Sequence, residues 1–292
     1  MTERIAIIGG GKIGEALLAG LIKSGKPIKD LVVVELSAER SAEISRDYGV
    51  RVTLDVRDAA EGAQVVFLAV KPDAVDAVLR ELARAEDPGE TERVTVSLVA
   101  GVPTARYEAN LPAGSPVVRV MPNTPMLVNE AMSAVSGGRY ADAGQVAVAV
   151  RLMESVGQVM VVPETQMDAV TAISGSGPAY FFLLVEALTD AGVGLGLTRA
   201  QSLELASQTL KGAGQLLSES GLSPVELRAA VTSPGGTTAA ALAEFERYGL
   251  RHAASEAARA AAEVSRSAAR RVDLEGSRVP VGSNAERGDD LR

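Results

Sequence analysis

A β-rich run, Ile5-Ala6-Ile7-Ile8, leads directly into Gly9-Gly10-Gly11-Lys12-Ile13-Gly14, and the next residues carry Leu17, Leu18, Leu21 and Ile22 at helical spacing. Strand, G-x-G-x-x-G and helix in immediate succession leave few folds open. Gly9 makes the tight turn, Gly11 lets a pyrophosphate approach the backbone, and Gly14 lets the helix pack closely on the strand. The six-residue pattern by itself is weak in a chain with 29 glycines. The flanking strand and helix supply the context it requires, so the pattern predicts a dinucleotide-binding α/β domain.

A second run, residues 31–35, closes the first βαβ unit. It ends in Glu35, near the ~20-residue offset at which an acid meets the adenosine ribose of NAD. Ser37, Glu39 and Arg40 stand just beyond and suit a 2′-phosphate instead, so NAD and NADP both remain open. Short strand-like runs at 51–53, 65–70, 94–99, 117–121, 131–135 and 159–162 alternate with helical patterns at 73–83 and 145–155. That is the order of a doubly wound Rossmann-type sheet. In such sheets ligands sit beyond the carboxyl ends of the strands. Three of those ends carry distinctive residues: Ala69-Val70-Lys71-Pro72, Ser97-Leu98-Val99-Ala100-Gly101, and Met121-Pro122-Asn123-Thr124-Pro125. All three are expected to line one crevice with the glycine loop. Lys71, wedged between a buried strand and a proline, reads as positional rather than as a surface lysine.

After Pro163 the strand signals stop, which places a boundary between residues 1–163 and an all-helical part, 164–275. Residues 171–178 read as a small-residue loop opening a helix that is apolar nearly all round over 179–188, Glu186 excepted. A helix apolar on every side must be covered on every side. About a hundred residues offer little interior for that, so a second copy of the chain is the simplest cover. A long helix over 199–217 and a short one over 224–230 follow. Next comes Ser233-Pro234-Gly235-Gly236-Thr237-Thr238, and then two alanine-rich helical segments broken near Gly249. Such a turn either caps the next helix through its hydroxyls or holds a small anion on the free N–H groups there. Residues 276–292, polar and aperiodic, are expected to be disordered.

Composition narrows the chemistry. There is no Cys, and the single His252 lies in what reads as a helix-to-helix turn. Thiolate nucleophiles, disulfides and multi-histidine metal sites are therefore excluded, and no metal is expected. The net charge of −8, with scattered Lys and Arg, argues against nucleic acid and anionic membranes. No apolar stretch approaches the ~20 residues of a membrane span, and no signal-peptide pattern opens the chain, so a soluble cytoplasmic protein is expected.

Taken together, the motifs resemble those of the pyrroline-5-carboxylate reductase family. The resemblance runs from about Ile5 to about Ala269. It rests on Ile8-Gly9-Gly10-Gly11 with Gly14, on Ala69-Val70-Lys71-Pro72, and on Val118-Arg119-Val120-Met121-Pro122-Asn123-Thr124-Pro125. Ser174-Gly175-Ser176-Gly177-Pro178-Ala179-Tyr180 and Ser233-Pro234-Gly235-Gly236-Thr237-Thr238 complete it.

The resemblance implies a Rossmann domain followed by a helical domain that dimerises by exchanging helices, with dimers commonly assembling into decamers. It implies NAD(P)H-dependent reduction of the cyclic imine 1-pyrroline-5-carboxylate to L-proline, the last step of proline biosynthesis. It places NADP or NAD on Ile8, Gly9, Gly10, Gly11, Lys12, Ile13, Gly14 and Ser37, and on Ala69, Val70, Lys71 and Pro72. The substrate goes to Glu164, Gly236, Thr237 and Thr238, with the Thr238 hydroxyl toward the ring nitrogen as the catalytic group. Glu164 also reads as a solvated linker residue. A protonated cyclic imine is already electrophilic, so positioning rather than a metal or thiol carries the reaction. Departures from the family pattern are Lys12 where Asn is usual, Val56 near a usual adenosine-contacting Asn, an acidic Glu35 segment, and the extended tail. Other two-domain dehydrogenases place a catalytic Lys on the interdomain helix, yet no lysine occurs between Lys71 and Lys211.

Overall fold

The computed structural model describes residues 3–85 and 93–276. The tail beyond Gly276, expected to be disordered, lies outside the described residues. The first half runs β1 (Ile5–Ile8), α1 (Lys12–Lys23), β2 (Leu31–Val34), α2 (Ala38–Tyr48), β3 (Arg51–Thr53), α3 (Val56–Ala60) and β4 (Val65–Leu68). It continues through α4 (Val75–Arg84), β5 (Val94–Ser97), α5 (Thr104–Glu108), β6 (Val117–Met121), β7 (Ala131–Gly137), α6 (Ala143–Met153) and β8 (Gly157–Val161).

The eight strands of the described residues form one sheet, ordered β3-β2-β1-β4-β5-β6-β7-β8. The first six are parallel, and β7 runs antiparallel to β6. The connection from β6 to β7 is too short for a helical crossover, so the chain turns back on itself. Strands β7 and β8 are joined through α6 and are again parallel. The continuous apolar runs of β1, β2 and β4, and the Val-Thr-Val-Ser of β5, are buried on both faces, as helices above and below a parallel sheet require. Alternation splits β1 between two cores. Ile5 and Ile7 join Leu17, Leu21, Phe67 and Val96, whereas Ala6 and Ile8 join Val34, Leu68, Leu79 and Tyr107.

From Glu164 onward the described chain is helical: α7 (Met167–Val170), a π-helical turn (Thr171–Gly175), α8 (Gly177–Gly194), α9 (Arg199–Glu219), α10 (Pro224–Ala230), α11 (Thr237–Arg247) and α12 (Leu250–Gly276). The expected loop at 171–178 is therefore a widened helical turn. One helical run extends over Glu164–Gly194, 31 residues, long and apolar enough by length and composition to cross a membrane. That corrects the expectation that no stretch reaches this length, because small residues that look like a loop in sequence continue the helix here. Helices α8 and α9 pack as a pair, and α12 returns to pack on α7 and the π-turn. There the Ser265 hydroxyl donates to Asp168 Oδ1 at 2.7 Å.

Among the described residues, three helix starts carry full capping boxes: Asp142 with Gln145, Thr198 with Gln201, and Ser223 with Glu226. Their Asp, Thr and Ser hydroxyl or carboxyl groups meet backbone N–H groups that would otherwise lack partners.

Candidate active site

Strand order reverses between β1 and β4, so the loops that follow these two strands diverge and leave a crevice at the carboxyl edge. The glycine loop sits there. Gly9 has φ +110°, and a Cβ at that position would lie 2.6 Å from the Ala69 carbonyl oxygen. A Cβ at Gly14 would lie 1.9 Å from the Gly9 carbonyl oxygen, whereas nothing lies within 4 Å of one at Gly11. The outer glycines are needed for close backbone packing, and the middle one faces open space where a pyrophosphate fits. Ile8 is buried, with its carbonyl accepting from the Ala69 N–H at 2.8 Å, so its side chain belongs to the core. Ile13 packs against the core, while Lys12 and Lys71 are exposed.

On the β2 side of the crevice Ser37 caps α2, its Oγ accepting from the Arg40 N–H at 3.3 Å. The Ser37 N–H donates to Glu35 Oε1 at 2.8 Å, and the Gly10 N–H to Glu35 Oε2 at 3.1 Å.

On the other side a cleft of about 550 Å³ opens between the two halves of the chain. Pro72 comes from the β4 end, Ala100 and Gly101 from the β5 end, Thr171 and Ser176 from the π-turn, and Val264 and Ser265 from α12. The β6 end supports this cleft from behind. Asn123 Nδ2 donates to the Ser174 carbonyl at 3.3 Å and to Ser174 Oγ at 3.2 Å, while Asn123 Oδ1 accepts from the Met132 N–H at 3.0 Å. Met121 touches Gly175, where a Cβ would lie 2.5 Å from the methionine methyl. All three strand ends noted in the sequence thus meet the π-turn or the cleft.

Glu164 is not a solvated linker residue. Its Oε1 accepts from the Thr104 N–H at 2.8 Å and from Arg119 Nη1 at 3.2 Å, and its Oε2 accepts from the Thr104 hydroxyl at 2.6 Å. Arg119 is 5% exposed on β6. Beside it, Tyr107 shares a hydrogen bond of 2.5 Å with Ser97 Oγ. Burial drives the Tyr107 phenol upward from its ordinary range, so it stays protonated and holds the β5 end. Replacing Glu164 with alanine should strand the buried guanidinium. Removing one partner of a fully buried pair costs about 3–5 kcal/mol, and the partial exposure of Glu164 lowers the expectation to about 2 kcal/mol. Urea denaturation checks this, and an unchanged midpoint would mean that Arg119 finds water or another acceptor.

The turn before α11 lacks the capping box that opens α6, α9 and α10. Gly235 is left-handed at φ +68°, Gly236 is the N-cap residue, and no side chain caps the helix. The expected hydroxyl caps are absent because Thr237 and Thr238 lie inside the first turn rather than before it. The first intrahelical bond is from the Ala240 N–H to the Gly236 carbonyl at 3.2 Å. Among the described residues the N–H groups of Thr237, Thr238 and Ala239 have no hydrogen-bond partner, at the positive end of an 11-residue helix.

The sequence reading missed Thr104, Arg119, Asn123 and Ser174 as supporting residues, and Thr171, Ser176, Val264 and Ser265 as cleft walls. Arg119, Asn123 and Ser174 stood within noticed motifs, but partners 45 and 51 residues away leave no local signal.

Comparison with known proteins agrees with this architecture. The family model described as pyrroline-5-carboxylate reductase dimerisation matches residues 164–268, and one described as NADP oxidoreductase coenzyme F420-dependent matches residues 4–101. The pyrroline-5-carboxylate reductase of Mycobacterium tuberculosis is 49% identical over 278 residues, covering 88% of this chain and 94% of its own. The chain belongs to the pyrroline-5-carboxylate reductase family. A solved pyrroline-5-carboxylate reductase from Coxiella burnetii superposes with a TM-score of 0.87 at 37% identity, covering 92% of this chain and 99% of its own. The Plasmodium falciparum pyrroline carboxylate reductase, solved with NADP bound, reaches a TM-score of 0.80 at 28% identity, covering 91% of this chain and 98% of its own. The reaction of a pyrroline-5-carboxylate reductase is the NAD(P)H-dependent reduction of 1-pyrroline-5-carboxylate to L-proline, which closes proline biosynthesis.

Proposed function

We propose that this reductase binds NADPH or NADH across the glycine loop, with the nicotinamide end directed into the 550 Å³ cleft. The substrate carboxylate is held by the free N–H groups of Thr237, Thr238 and Ala239, at the Gly236–Thr238 turn of a second copy of the chain. The observation that carries this reading is the pairing of an open cleft with an uncapped helix start that this chain's own cleft does not use. Among the described residues no hydrogen bond joins residues 232–248 to the sheet half. The bound dinucleotide supplies the hydride. Gly9 and Gly14 bring α1 and the β4 loop close enough to fix its pyrophosphate, while Lys12, Ser37 and residues 69–72 border its path.

Pro72, Ala260, Ala261 and Val264 form apolar walls that limit water around the imine carbon. The carboxylate on Thr237–Ala239 sets the ring orientation, and the Thr238 hydroxyl hydrogen-bonds the ring nitrogen. Glu164 acts by tying Thr104 and Arg119 to the first turn of the helical half, one step back from the substrate. The test is dinucleotide oxidation with 1-pyrroline-5-carboxylate, compared with 2-oxoacids and other cyclic imines. No turnover of the first compound with either dinucleotide would overturn the reading.

The bare face of α8 supports the second copy. Phe181 is 55%, Phe182 64% and Leu183 65% exposed in the isolated chain, and Leu203 and Leu205 on α9 are 49% and 58% exposed. Contiguous apolar surface of this extent marks an interface. A homodimer through α8 and α9 covers it, and the remaining surface serves further assembly into a decamer in the cytoplasm. Leu183→Asp is expected to give a smaller species by light scattering and to lose activity with it, because each cleft then lacks its partner turn. A full-size, active variant would show that α8 is not the interface.

A further inference from the structure

The adenosine end of the dinucleotide site, as read above, is built around a carboxylate rather than a cation. Glu35 projects from the end of β2 and accepts from two backbone N–H groups, those of Gly10 at 3.1 Å and Ser37 at 2.8 Å. These two donors form the concave corner in which a ribose 2′-phosphate would have to sit. Arg40, the nearby cation, has all three guanidinium nitrogens engaged. Nε donates to the Gly10 carbonyl at 3.0 Å, Nη1 to Glu43 at 2.9 Å, and Nη2 to Glu15. Glu15 also accepts from the Tyr48 hydroxyl at 3.1 Å, which fixes it in place. The corner therefore holds Glu15, Glu35 and Glu43 around one committed guanidinium. Lys12 stands on the glycine loop, on the path of the pyrophosphate, and serves both dinucleotides alike.

We propose that Glu35 makes NADH the preferred hydride donor, its carboxylate accepting the ribose hydroxyls and occupying the Gly10–Ser37 donor corner against a 2′-phosphate. The phosphate would add close to two negative charges beside a fixed carboxylate, and Arg40, the cation at this corner among the described residues, is already engaged. Two exposed leucines complete the subsite. Leu36 is 79% and Leu54 63% exposed. The pairing of Val34 with Thr53 sets Glu35 across from Leu54 at the ends of β2 and β3. Leu36 and Leu54 supply the apolar contact for the adenine ring, which both dinucleotides share.

The test is calorimetric titration of the full-length protein with ADP-ribose and with 2′-phospho-ADP-ribose, ligands that probe this end without turnover. Wild-type protein is expected to bind ADP-ribose at least about tenfold more tightly. Glu35→Ser should erase or reverse that ratio, and Glu35→Gln should fall between, provided circular dichroism shows native folding. If Glu35→Ser does not fold, the conservative Glu35→Gln decides alone. Leu54→Ser should weaken both ligands to a similar degree without moving the ratio. Tighter wild-type binding of the 2′-phosphorylated ligand, or a ratio untouched by Glu35→Gln and Glu35→Ser, overturns the proposal while leaving the dinucleotide site intact. Binding of neither ligand overturns the dinucleotide site itself, and this proposal with it.

Discussion

Replacing Thr238 with alanine is expected to lower kcat/KM for 1-pyrroline-5-carboxylate by about 100- to 1,000-fold, the usual effect of deleting one donor aimed at the reacting centre. The affinity for the dinucleotide should stay as it is, because the site proposed for that ligand is on the sheet half, whereas Thr238 belongs to α11. Folding offers no alternative explanation. Thr238 is an inner residue of the first turn of α11, and its hydroxyl makes no capping bond. Alanine is the better helix former at such a position, so thermal unfolding should move little and, if anything, upward. Thr238→Ser keeps the hydroxyl and should restore most of the activity. Stopped-flow turnover together with dinucleotide titration by fluorescence separates the outcomes. Equal loss of turnover and dinucleotide affinity would place Thr238 in the cofactor site or the fold.

Gly14→Ala is expected to destabilise the protein by about 3 kcal/mol or more, at the upper end of overpacking effects, and to remove dinucleotide binding with it. A Cβ at Gly14 would lie 1.9 Å from the Gly9 carbonyl oxygen and 3.3 Å from Ile7 Cγ2. The obstacle is backbone, so no rotamer change relieves it. Gly9 has little room to retreat either, since the Ala69 carbonyl oxygen lies only 2.6 Å from where a Cβ at Gly9 would stand. Gly11→Ala provides the contrast, having no heavy atom within 4 Å of the added Cβ. It should fold normally and lose affinity for the dinucleotide. Urea midpoints measured at unchanged m check both. Comparable destabilisation by Gly11→Ala and Gly14→Ala would refute the separate roles assigned to the two glycines.

Much of the Rossmann half was legible because its signals are local. The run at 65–70 is apolar without alternation, as is 31–35 up to Glu35, which only a sheet covered on both faces accommodates; Thr95 and Ser97 interrupt the run at 94–99, yet both are buried. The strands themselves stop earlier, at Val34, Leu68 and Ser97. Ala69, Val70, Leu98 and Val99 are apolar, but they already belong to the loops that shape the crevice. The direction of β7 carries no signal in its composition, since Ala131–Gly137 would read alike in either orientation. The π-turn at Thr171–Gly175 was hidden for a related reason. Small residues allow a loop or a widened helix equally, and packing against α12 and Met121 selects the helix.

By itself the sequence determined the glycine loop between strand and helix, the switch to helices after Pro163, and the exclusion of thiolate chemistry, all of which follow from residue type and short spacing. It also carried the Gly236–Thr238 turn, though not its state. The tertiary structure alone decided that this turn is left uncapped, that Glu164 is tied to Thr104 and Arg119, and that Glu35 fills the donor corner beside Gly10. These depend on which backbone groups remain unpaired once distant segments have packed. Residues 25 to 60 positions apart meet there, and no local pattern records such a meeting.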